Sequence, residues 1–181
     1  MIKPGEVVYN IGANVGYTAL WLAQNAGGAI SVVAFEPEPE NFVLLCKNVS
    51  LNPRLDVTCE KLAIGDLDGA VRMSSNGGGD GAAHVSEDGD IEVDCLTLDS
   101  FIEKAGPVPD WIFMDVEGFG GACMKGASSL LAKHRPKVAF EVHSADEEKG
   151  VRDVLEAHGY EPFSSQTNIW GRFDFWKPVQ G

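Results

Sequence analysis

The sequence predicts an α/β fold of the doubly wound kind, in which a mostly parallel sheet of seven strands carries helices on both faces. Short runs of apolar, β-branched residues alternate with segments of helical periodicity along most of the chain. These runs are apolar throughout, which is typical of parallel strands that are buried on both faces. The 181 residues correspond to about one domain, which we expect to span residues 1–181.

Five strands with helices between them are predicted in chain order. The strands are expected at Val7–Gly12, Ser31–Pro37, Asp56–Ile64, Asp110–Val116 and Lys137–His143. The helices are expected at Gly16–Ala26, Pro39–Leu51, Ala122–Lys133 and Asp146–His158. Glycines follow the first and the last of these helices, and Pro39 suits the first turn of the second. The apolar residues of this second helix, Pro39–Leu51, recur at the helical spacing i, i+3, i+4 and i+7.

The end of the chain and one middle segment depart from this alternation. Glu161–Gln166 and Asn168–Lys177 alternate polar and aromatic residues with no helix between them, which predicts a C-terminal antiparallel hairpin on the sheet. Between the third and fourth strands, Ala70–Ser74 is expected to pair with Ile91–Cys95. The Gly- and Asp-rich stretch Asn76–Asp90 would form the loop of this small excursion.

The charge of the chain excludes some partners. There are 27 acidic and 14 basic residues, and the net charge is −13. A surface that follows nucleic-acid phosphates needs a basic stripe, so neither nucleic acid nor an anionic membrane is an expected partner. No apolar run approaches the roughly 20 residues that cross a bilayer, and the N-terminus lacks a signal-peptide core. The four widely spaced cysteines suit a reducing compartment, so we expect a cytoplasmic protein.

A glycine turn follows the first strand and opens the first helix, in the segment NIGANVGYT. A dinucleotide fingerprint needs Gly-x-Gly-x-x-Gly, but counting from Gly12 puts Asn14 and Tyr17 at the other two glycine positions. The spacing from Gly12 to Gly16 instead suits a cofactor with a small carboxylate and amine, such as the methionine end of S-adenosylmethionine. The alternative is that the glycines only allow tight packing between the strand and the helix.

An acidic residue, Glu36, ends the second strand about 20 residues beyond this turn. A carboxylate at that place in a doubly wound sheet can accept hydrogen bonds from both hydroxyls of a ribose. The alternative is a charge that stabilises the start of the following helix, which is the role we expect for Glu38 and Glu40.

Six blocks of sequence carry a resemblance to a known family. The blocks are VYNIGANVGYTALWLA, VAFEPEPENFVLLCKNVSLN, LAIGDLDG, LTLDSF, DWIFMDVEGFGGACMKGASSLL and RPKVAFEVH, and they cover about Val8 to His143. In order and spacing they resemble the FkbM family of S-adenosylmethionine-dependent methyltransferases. The resemblance implies the Rossmann-like class I methyltransferase fold, which the predicted strand pattern also fits better than a dehydrogenase order. It further implies methyl transfer to a hydroxyl oxygen of a sugar, polyketide or other small metabolite.

The resemblance also assigns residues to roles. The implied cofactor-binding positions are Asn10, Gly12, Ala13, Asn14, Gly16, Tyr17, Thr18, Glu36, Pro37, Asn41 and Ala63. The glycine turn would meet the methionine end, Glu36 the ribose and Ala63 the adenine side. Asp115 and Glu117 match the acidic pair after the fourth strand.

Three features depart from the family pattern. The family usually has Asp where this chain has Asn10, so a charge toward the cofactor's ammonium group is lost. It also usually has an acidic residue after DVEGF, where this chain has Gly120. The first strand begins at Val7, which suggests a truncated or minimal form. The oligomeric state is left open, and a homodimer is one of the states that the sequence allows.

Four side chains at the carboxyl ends of the fourth and fifth strands are the catalytic candidates: Asp115, Glu117, Glu141 and His143. Residues two apart on a continuing strand point to one side, so both pairs are expected to face one site. One hypothesis makes His143 or Asp115 the general base. A second places a divalent cation in the cluster, although we assign no metal ligand. In a third, the acids form only structural hydrogen bonds and proximity does the catalysis.

Two rival functions remain at this point. One is a dehydrogenase or another nucleotide-dependent enzyme on a similar sheet, against which the glycine spacing argues. The other is a non-catalytic module that binds S-adenosylmethionine, which Asn10 and the short N-terminus would suit.

Overall fold

The computed structural model describes residues 2–75, 84–167 and 171–179. Its strands are β1 (Val7–Ile11), β2 (Ser31–Phe35), β3 (Asp56–Glu60), β4 (Ala63–Ile64), β5 (Gly69–Ser74), β6 (His84–Val85), β7 (Ile91–Leu96), β8 (Trp111–Met114), β9 (Lys137–Glu141), β10 (Tyr160–Thr167) and β11 (Arg172–Pro178). Its helices are α1 (Tyr17–Asn25), α2 (Pro39–Ser50), α3 (Leu98–Glu103), α4 (Gly120–Lys125), α5 (Ser128–Lys133) and α6 (Ala145–Ala157).

Seven of these strands form one sheet in the order β10-β11-β9-β8-β1-β2-β3. The strands from β9 to β3 are parallel, with Tyr9 opposite both Val33 and Ile112. The last two strands form the antiparallel hairpin, and β11 pairs antiparallel with β9. This arrangement confirms the predicted doubly wound class, although Asn168, the predicted start of the last strand, lies outside the described residues.

Helices cover both faces of this sheet. On one face, Tyr9, Phe35 and Phe140 pack in a large core with side chains of α3, α4, α5 and α6. On the other, Val8 and Val32 pack against side chains of α1 and α2. Alternate residues of β1 therefore belong to different cores, which is why its sequence is apolar without a two-residue period.

A second sheet corrects one predicted strand. The segment Asp56–Ile64 does not run as one strand: β3 ends at Glu60, and β4 instead pairs with β7 in a four-stranded sheet of order β4-β7-β5-β6. The predicted pairing of the excursion is confirmed, with Val71 opposite Val93 in the antiparallel pair of β5 and β7. Residues 76–83 of the predicted loop Asn76–Asp90 lie outside the described residues.

The predicted helix Ala122–Lys133 is broken into α4 and α5 at Gly126. A Cβ atom on Gly126 would lie 1.9 Å from the carbonyl oxygen of Gly65, so the backbone there is pressed against the start of the excursion. The carboxylate of Asp99, on α3, accepts hydrogen bonds of 2.8 Å from the N–H groups of Ser129 and Leu130. Helix α3 was not predicted from the sequence; its residue Asp99 satisfies free N–H groups at the start of α5.

None of the helices in residues 2–75, 84–167 and 171–179 is long and apolar enough to cross a membrane.

The close contact at Gly126 leads to a stability prediction. Gly126→Ala should lower the free energy of unfolding by about 2–3 kcal/mol, because the new methyl group forces α4 away from Gly65. Gly150→Ala is the control, since its Cβ would meet only Gly121 Cα at 3.5 Å and alanine favours the helix by up to about 1 kcal/mol. Urea unfolding of both variants measures this, and equal stabilities would contradict the contact.

Candidate active site

A cleft opens at the carboxyl ends of the central parallel strands, where doubly wound folds bind ligands. Its polar wall includes Asn14, Glu36, Asn41, Asp115 and Glu117. The second sheet and its connections supply an apolar wall of Leu62, Ala63, Ile64, Met73 and Val85. The excursion thus forms one side of the cleft, a role that the sequence analysis did not predict for Met73 and Val85.

The glycine turn is held by packing as well as by its own conformation. Gly12 has a φ of 77°, and a Cβ there would lie 1.8 Å from the carbonyl oxygen of Asp115. A Cβ on Gly16, with a φ of 93°, would lie 2.7 Å from the Leu45 side chain. These contacts account for both glycines without a ligand, so the glycine spacing alone does not identify a cofactor. Gly12 and Asn14 still line the cleft, whereas Gly16 does not.

Glu36 joins two of the loops that form the cleft. Its carboxylate accepts hydrogen bonds from the N–H of Asn14 at 2.6 Å and from the N–H of Glu38 at 2.9 Å. Burial raises the pKa of Glu36 to about 7, while the hydrogen bonds from Glu38 and Asn14 act in the opposite direction. A carboxylate oxygen has two lone pairs, so Glu36 can accept further hydrogen bonds from a ligand in the cleft.

The neighbouring acid Glu38 has a different position. It is the N-cap of α2, and its carboxylate accepts a hydrogen bond of 2.6 Å from the N–H of Asn41. This is the stabilising contact at the start of a helix that we expected of Glu38. Pro37, Asn41 and Ala63 all line the cleft, as the family resemblance implied.

The remaining predicted cofactor positions lie outside the cleft lining: Asn10, Ala13, Gly16, Tyr17 and Thr18. Tyr17 is largely exposed and lines a groove between α1 and α2. Asn10 is only 1% exposed, and its Oδ1 atom has no hydrogen-bond partner among the described residues. A buried acceptor without a donor costs about 1–3 kcal/mol, so this atom is suited to a cationic or N–H donor from a ligand.

The four catalytic candidates do come together, by a different route from the one predicted. β8 ends at Met114 and β9 at Glu141, so Asp115, Glu117 and His143 lie on loops and not on continuing strands. Glu117 has a φ of 47°, in the left-handed region that non-glycine residues rarely adopt. The imidazole nitrogens of His143 lie 2.9 Å from a carboxylate oxygen of Asp115 and 3.4 Å from one of Glu117.

The charges of this cluster determine its protonation. The hydrogen bond to Asp115, together with the charges of nearby carboxylates, raises the pKa of His143 to about 9. The imidazole is therefore protonated near neutral pH and cannot accept a proton there. Burial and the neighbouring Asp115 raise the pKa of Glu141 to about 7. Burial also raises the pKa of Glu117.

The same side chains meet the spacing of a cation site. One atom from each of Asp115, Glu117 and His143 lies within 4.8 Å of the others, so they could contact one divalent ion. The same arrangement is explained by an imidazolium between two carboxylates. A chelator experiment is needed to separate these two interpretations.

Another acid near the cluster was missed. Glu147, on the first turn of α6, is only 5% exposed, and its carboxylate accepts hydrogen bonds from the N–H groups of Gly118, Gly120 and His143. Ser144 and Glu147 form the Ser-x-x-Glu pattern that marks a helix start, and this signal could have identified the residue.

Comparison with known proteins places this chain in a family. A family model described as the methyltransferase FkbM domain matches residues 10–162. No curated protein matches the sequence.

Solved structures share the fold. The methyltransferase FkbM from Methylobacillus flagellatus KT is 19% identical, with a TM-score of 0.72 over 97% of this chain and 44% of that one. The precorrin-6y C5,15-methyltransferase from Geobacter metallireducens GS-15 is 12% identical, with a TM-score of 0.61 over 97% of this chain and 79% of that one. The S-adenosylmethionine-dependent O-methyltransferase from Thermotoga maritima is 14% identical, with a TM-score of 0.60 over 99% of this chain and 62% of that one.

The structural similarity shows the fold, and this chain spans less than half the length of the FkbM structure from Methylobacillus flagellatus. The family model covers most of the chain, including the glycine turn, Glu36 and the acidic cluster. The chain therefore belongs to the FkbM methyltransferase family.

Proposed function

We propose that this chain transfers a methyl group from S-adenosylmethionine to a hydroxyl oxygen of a small metabolite. The observation that carries the proposal is a single cleft whose lining brings Glu36 and Asn14 together with Asp115 and Glu117. Glu36 and Asn14 can hold a nucleoside cofactor, and the cluster that contains Asp115 and Glu117 can accept a proton. Membership of the FkbM family supports the same activity.

The residues present fit the cofactor. Glu36 can accept hydrogen bonds from the two ribose hydroxyls, and Leu62, Ala63 and Ile64 offer an apolar surface to the adenine ring. The family resemblance places Asn10 toward the ammonium group at the methionine end; its Oδ1 is a buried acceptor without a partner among the described residues, although the side chain lies outside the cleft lining. When bound, S-adenosylmethionine supplies a methyl group on a positively charged sulfur, from which a nucleophile can displace it.

The cluster provides a place for the acceptor's proton. Methyl transfer to a hydroxyl forms an O–C bond and releases the hydroxyl proton, which a carboxylate within hydrogen-bond reach can accept. Glu141, whose pKa is raised to about 7 by burial and by the neighbouring Asp115, is suited to this role as part of a carboxylate pair. His143 acts as the cation that orients the Asp115 carboxylate. This assignment replaces His143 by Asp115 and Glu141 as the proton acceptor.

The surroundings favour a particular class of acceptor. The carboxylates beside the cleft and the net charge of −13 would repel a phosphorylated or otherwise anionic molecule. An uncharged hydroxyl compound, such as a sugar or polyketide, is therefore the acceptor that we propose. We further propose a single domain over residues 1–181 and a cytoplasmic location, which four unpaired cysteines support.

The cofactor assignment predicts a pH-dependent affinity. An ionised Glu36 accepts both ribose hydroxyls, so the affinity for S-adenosylmethionine should rise as the pH increases through about 7, the pKa of Glu36. Glu36→Gln should weaken binding by about 2 kcal/mol at pH 8 and abolish this pH dependence. Isothermal titration calorimetry between pH 6 and pH 8 measures both effects.

The exposed acid Glu40, on the first turn of α2, provides the control for this experiment. Glu40→Gln should leave the affinity and its pH dependence unchanged, because the side chain lies outside the cleft lining. An unaltered affinity in the folded Glu36→Gln variant would remove Glu36 from the cofactor site.

The unpaired oxygen of Asn10 leads to a prediction in which one substitution lowers the stability of the free protein and raises its affinity for the cofactor. Asn10→Asp should destabilise the free protein, because it buries a charge without a partner. The variant should bind S-adenosylmethionine more tightly, by about 1 kcal/mol, because a carboxylate attracts the ammonium group. Thermal unfolding with and without the cofactor, together with calorimetry, tests both effects. Unchanged or weaker binding would show that Asn10 does not face the ammonium group.

The proton-transfer assignment predicts the effects of two substitutions. Asp115→Asn and Glu141→Gln should each lower the rate constant of single-turnover methylation by about 10²–10⁴ while leaving cofactor affinity nearly unchanged. The test uses a panel of hydroxylated acceptors, with and without a chelator. Asp146→Asn, at an exposed position on the first turn of α6, is the control and should react like the unmodified chain.

The outcomes of this experiment separate the three hypotheses for the cluster. Loss of activity with chelator, restored by a divalent ion, would replace the carboxylate base by a bound cation. Near-normal rates in both variants, with or without chelator, would leave only proximity as the source of catalysis.

A further inference from the structure

We infer that Glu147 is a positioning residue, which holds the loop after β8 and the loop after β9 in the arrangement that methyl transfer requires. This inference rests on the proposed function for its catalytic meaning. The geometry that supports it is independent of any cofactor or acceptor.

A single carboxylate connects the two loops. One oxygen, Oε1, accepts hydrogen bonds from the N–H groups of Gly118 at 3.1 Å and Gly120 at 3.2 Å. The other, Oε2, accepts one from the N–H of His143 at 3.2 Å. Gly118 follows Glu117 directly, and Gly120 begins α4. The Glu147 side chain therefore bridges the backbone that carries Glu117 to the backbone that carries His143.

The bridge bears on the conformation of the cluster. Glu117 has a positive φ, a strained conformation that persists only where surrounding contacts hold it. The hydrogen bond from Gly118 to Glu147 is such a contact, one residue away. On the other loop, the bond from the N–H of His143 fixes the backbone from which the imidazole reaches Asp115. Without Glu147, neither loop would be tied to the other through these N–H groups.

A buried carboxylate needs compensation, and this one has it. Three N–H donors and the N-terminus of the 13-residue helix α6 offset the cost of burying the charge. Ser144 caps the same helix by accepting a hydrogen bond from the Glu147 N–H at 3.1 Å. In the usual capping box the glutamate reaches back to the N-cap N–H, but here it accepts from His143, one residue earlier. The helix start is thereby coupled to the cluster.

Gly120 leaves room for the Glu147 carboxylate. A Cβ on Gly120 would lie 3.0 Å from Glu147 Oε1 and 2.9 Å from the Val151 side chain. Glycine at position 120 therefore leaves the space that the Glu147 carboxylate occupies, so that α6 supplies a carboxylate beside this loop.

Two substitutions at Glu147 test the bridge. In Glu147→Gln, the amide oxygen can still accept from Gly118 and Gly120, but the NH₂ group opposes the N–H of His143, so the connection to one loop is lost. Glu147→Ala removes the connection to both loops. Val154→Ala is the control, because it removes apolar packing from the same helix outside the cleft.

Three readouts are compared across these variants: the single-turnover rate constant, the affinity for S-adenosylhomocysteine, and the imidazole ¹⁵N chemical shifts of His143 at pH 7.5. Glu147→Gln should lower the rate constant at least tenfold with an affinity within twofold of the unmodified chain. Its His143 shifts should move from those of an imidazolium toward those of a neutral ring. Glu147→Ala should show larger changes, and Val154→Ala should lose stability with the rate and shifts unchanged.

The result that would overturn the inference is also defined. If Glu147→Gln keeps both the rate constant and the imidazolium shifts, or if it changes them no more than Val154→Ala does, Glu147 only anchors α6. The histidine shifts need no acceptor and no turnover. If the unmodified chain methylates nothing, the proposed function fails, while the shifts still decide whether Glu147 holds the cluster together.

Discussion

The contact between Gly12 and the backbone of Asp115 is the constraint on which the rest of the site depends. β1 and β8 are neighbours in the sheet, and the Asp115 N–H donates to the Ile11 carbonyl at 3.0 Å as the strands end. Only a residue without a Cβ lets the next turn of the backbone pass this close to the Asp115 carbonyl. The glycine turn that contains Gly12, which would contact the cofactor, is thereby fixed beside the loop that contains Asp115, which would accept the proton. Two functions that come from segments about a hundred residues apart share one cleft because these strands are adjacent.

The electrostatics of the cleft follow from its crowded carboxylates. One imidazole, that of His143, lies among four carboxylates: Asp115, Glu117, Glu141 and Glu147. The cluster raises the pKa of His143 to about 9 and that of Glu141 to about 7. Burying carboxylates close together costs free energy unless backbone N–H groups and a helix N-terminus stabilise their charge, as they do at Glu147. Strongly shifted pKa values in a cleft are common at functional sites, which is consistent with the chemistry that we propose. A structural role alone would not require Asp115 and Glu117 to remain partly exposed to the cleft.

Much of the fold could be predicted because most of its strands and helices have a hydrophobic pattern that can be recognised within a short stretch of sequence. The apolar runs located the five parallel strands, and the polar and aromatic alternation located the hairpin. Contacts between distant segments explain what was missed. Gly126, where the helix breaks, lies against the carbonyl of Gly65, and after β3 ends at Glu60 the chain continues into β4, which pairs with β7. Neither partner can be identified from the residues around the break.

The candidate site shows the same division. The sequence motifs predicted that Glu36, Asp115 and His143 lie at the same edge of the sheet. They could not predict which of the side chains in the site carry a proton. His143 was a reasonable base from its residue type, but the 2.9 Å contact with Asp115, together with the charges of nearby carboxylates, makes it an imidazolium. Glu147 carried a helix-capping signature, whereas its bonds to Gly118 and Gly120 depend on how α6 packs against α4.

The central claim is that this cleft binds S-adenosylmethionine, and a direct binding measurement on the unmodified chain tests it. Calorimetric titrations with S-adenosylmethionine, S-adenosylhomocysteine and a nicotinamide dinucleotide compare the possible cofactors under one set of conditions. We expect saturable binding of one molecule per chain for both sulfur compounds and no heat of binding for the dinucleotide. Binding of the dinucleotide, or the absence of binding by both sulfur compounds to the folded chain, would contradict this claim.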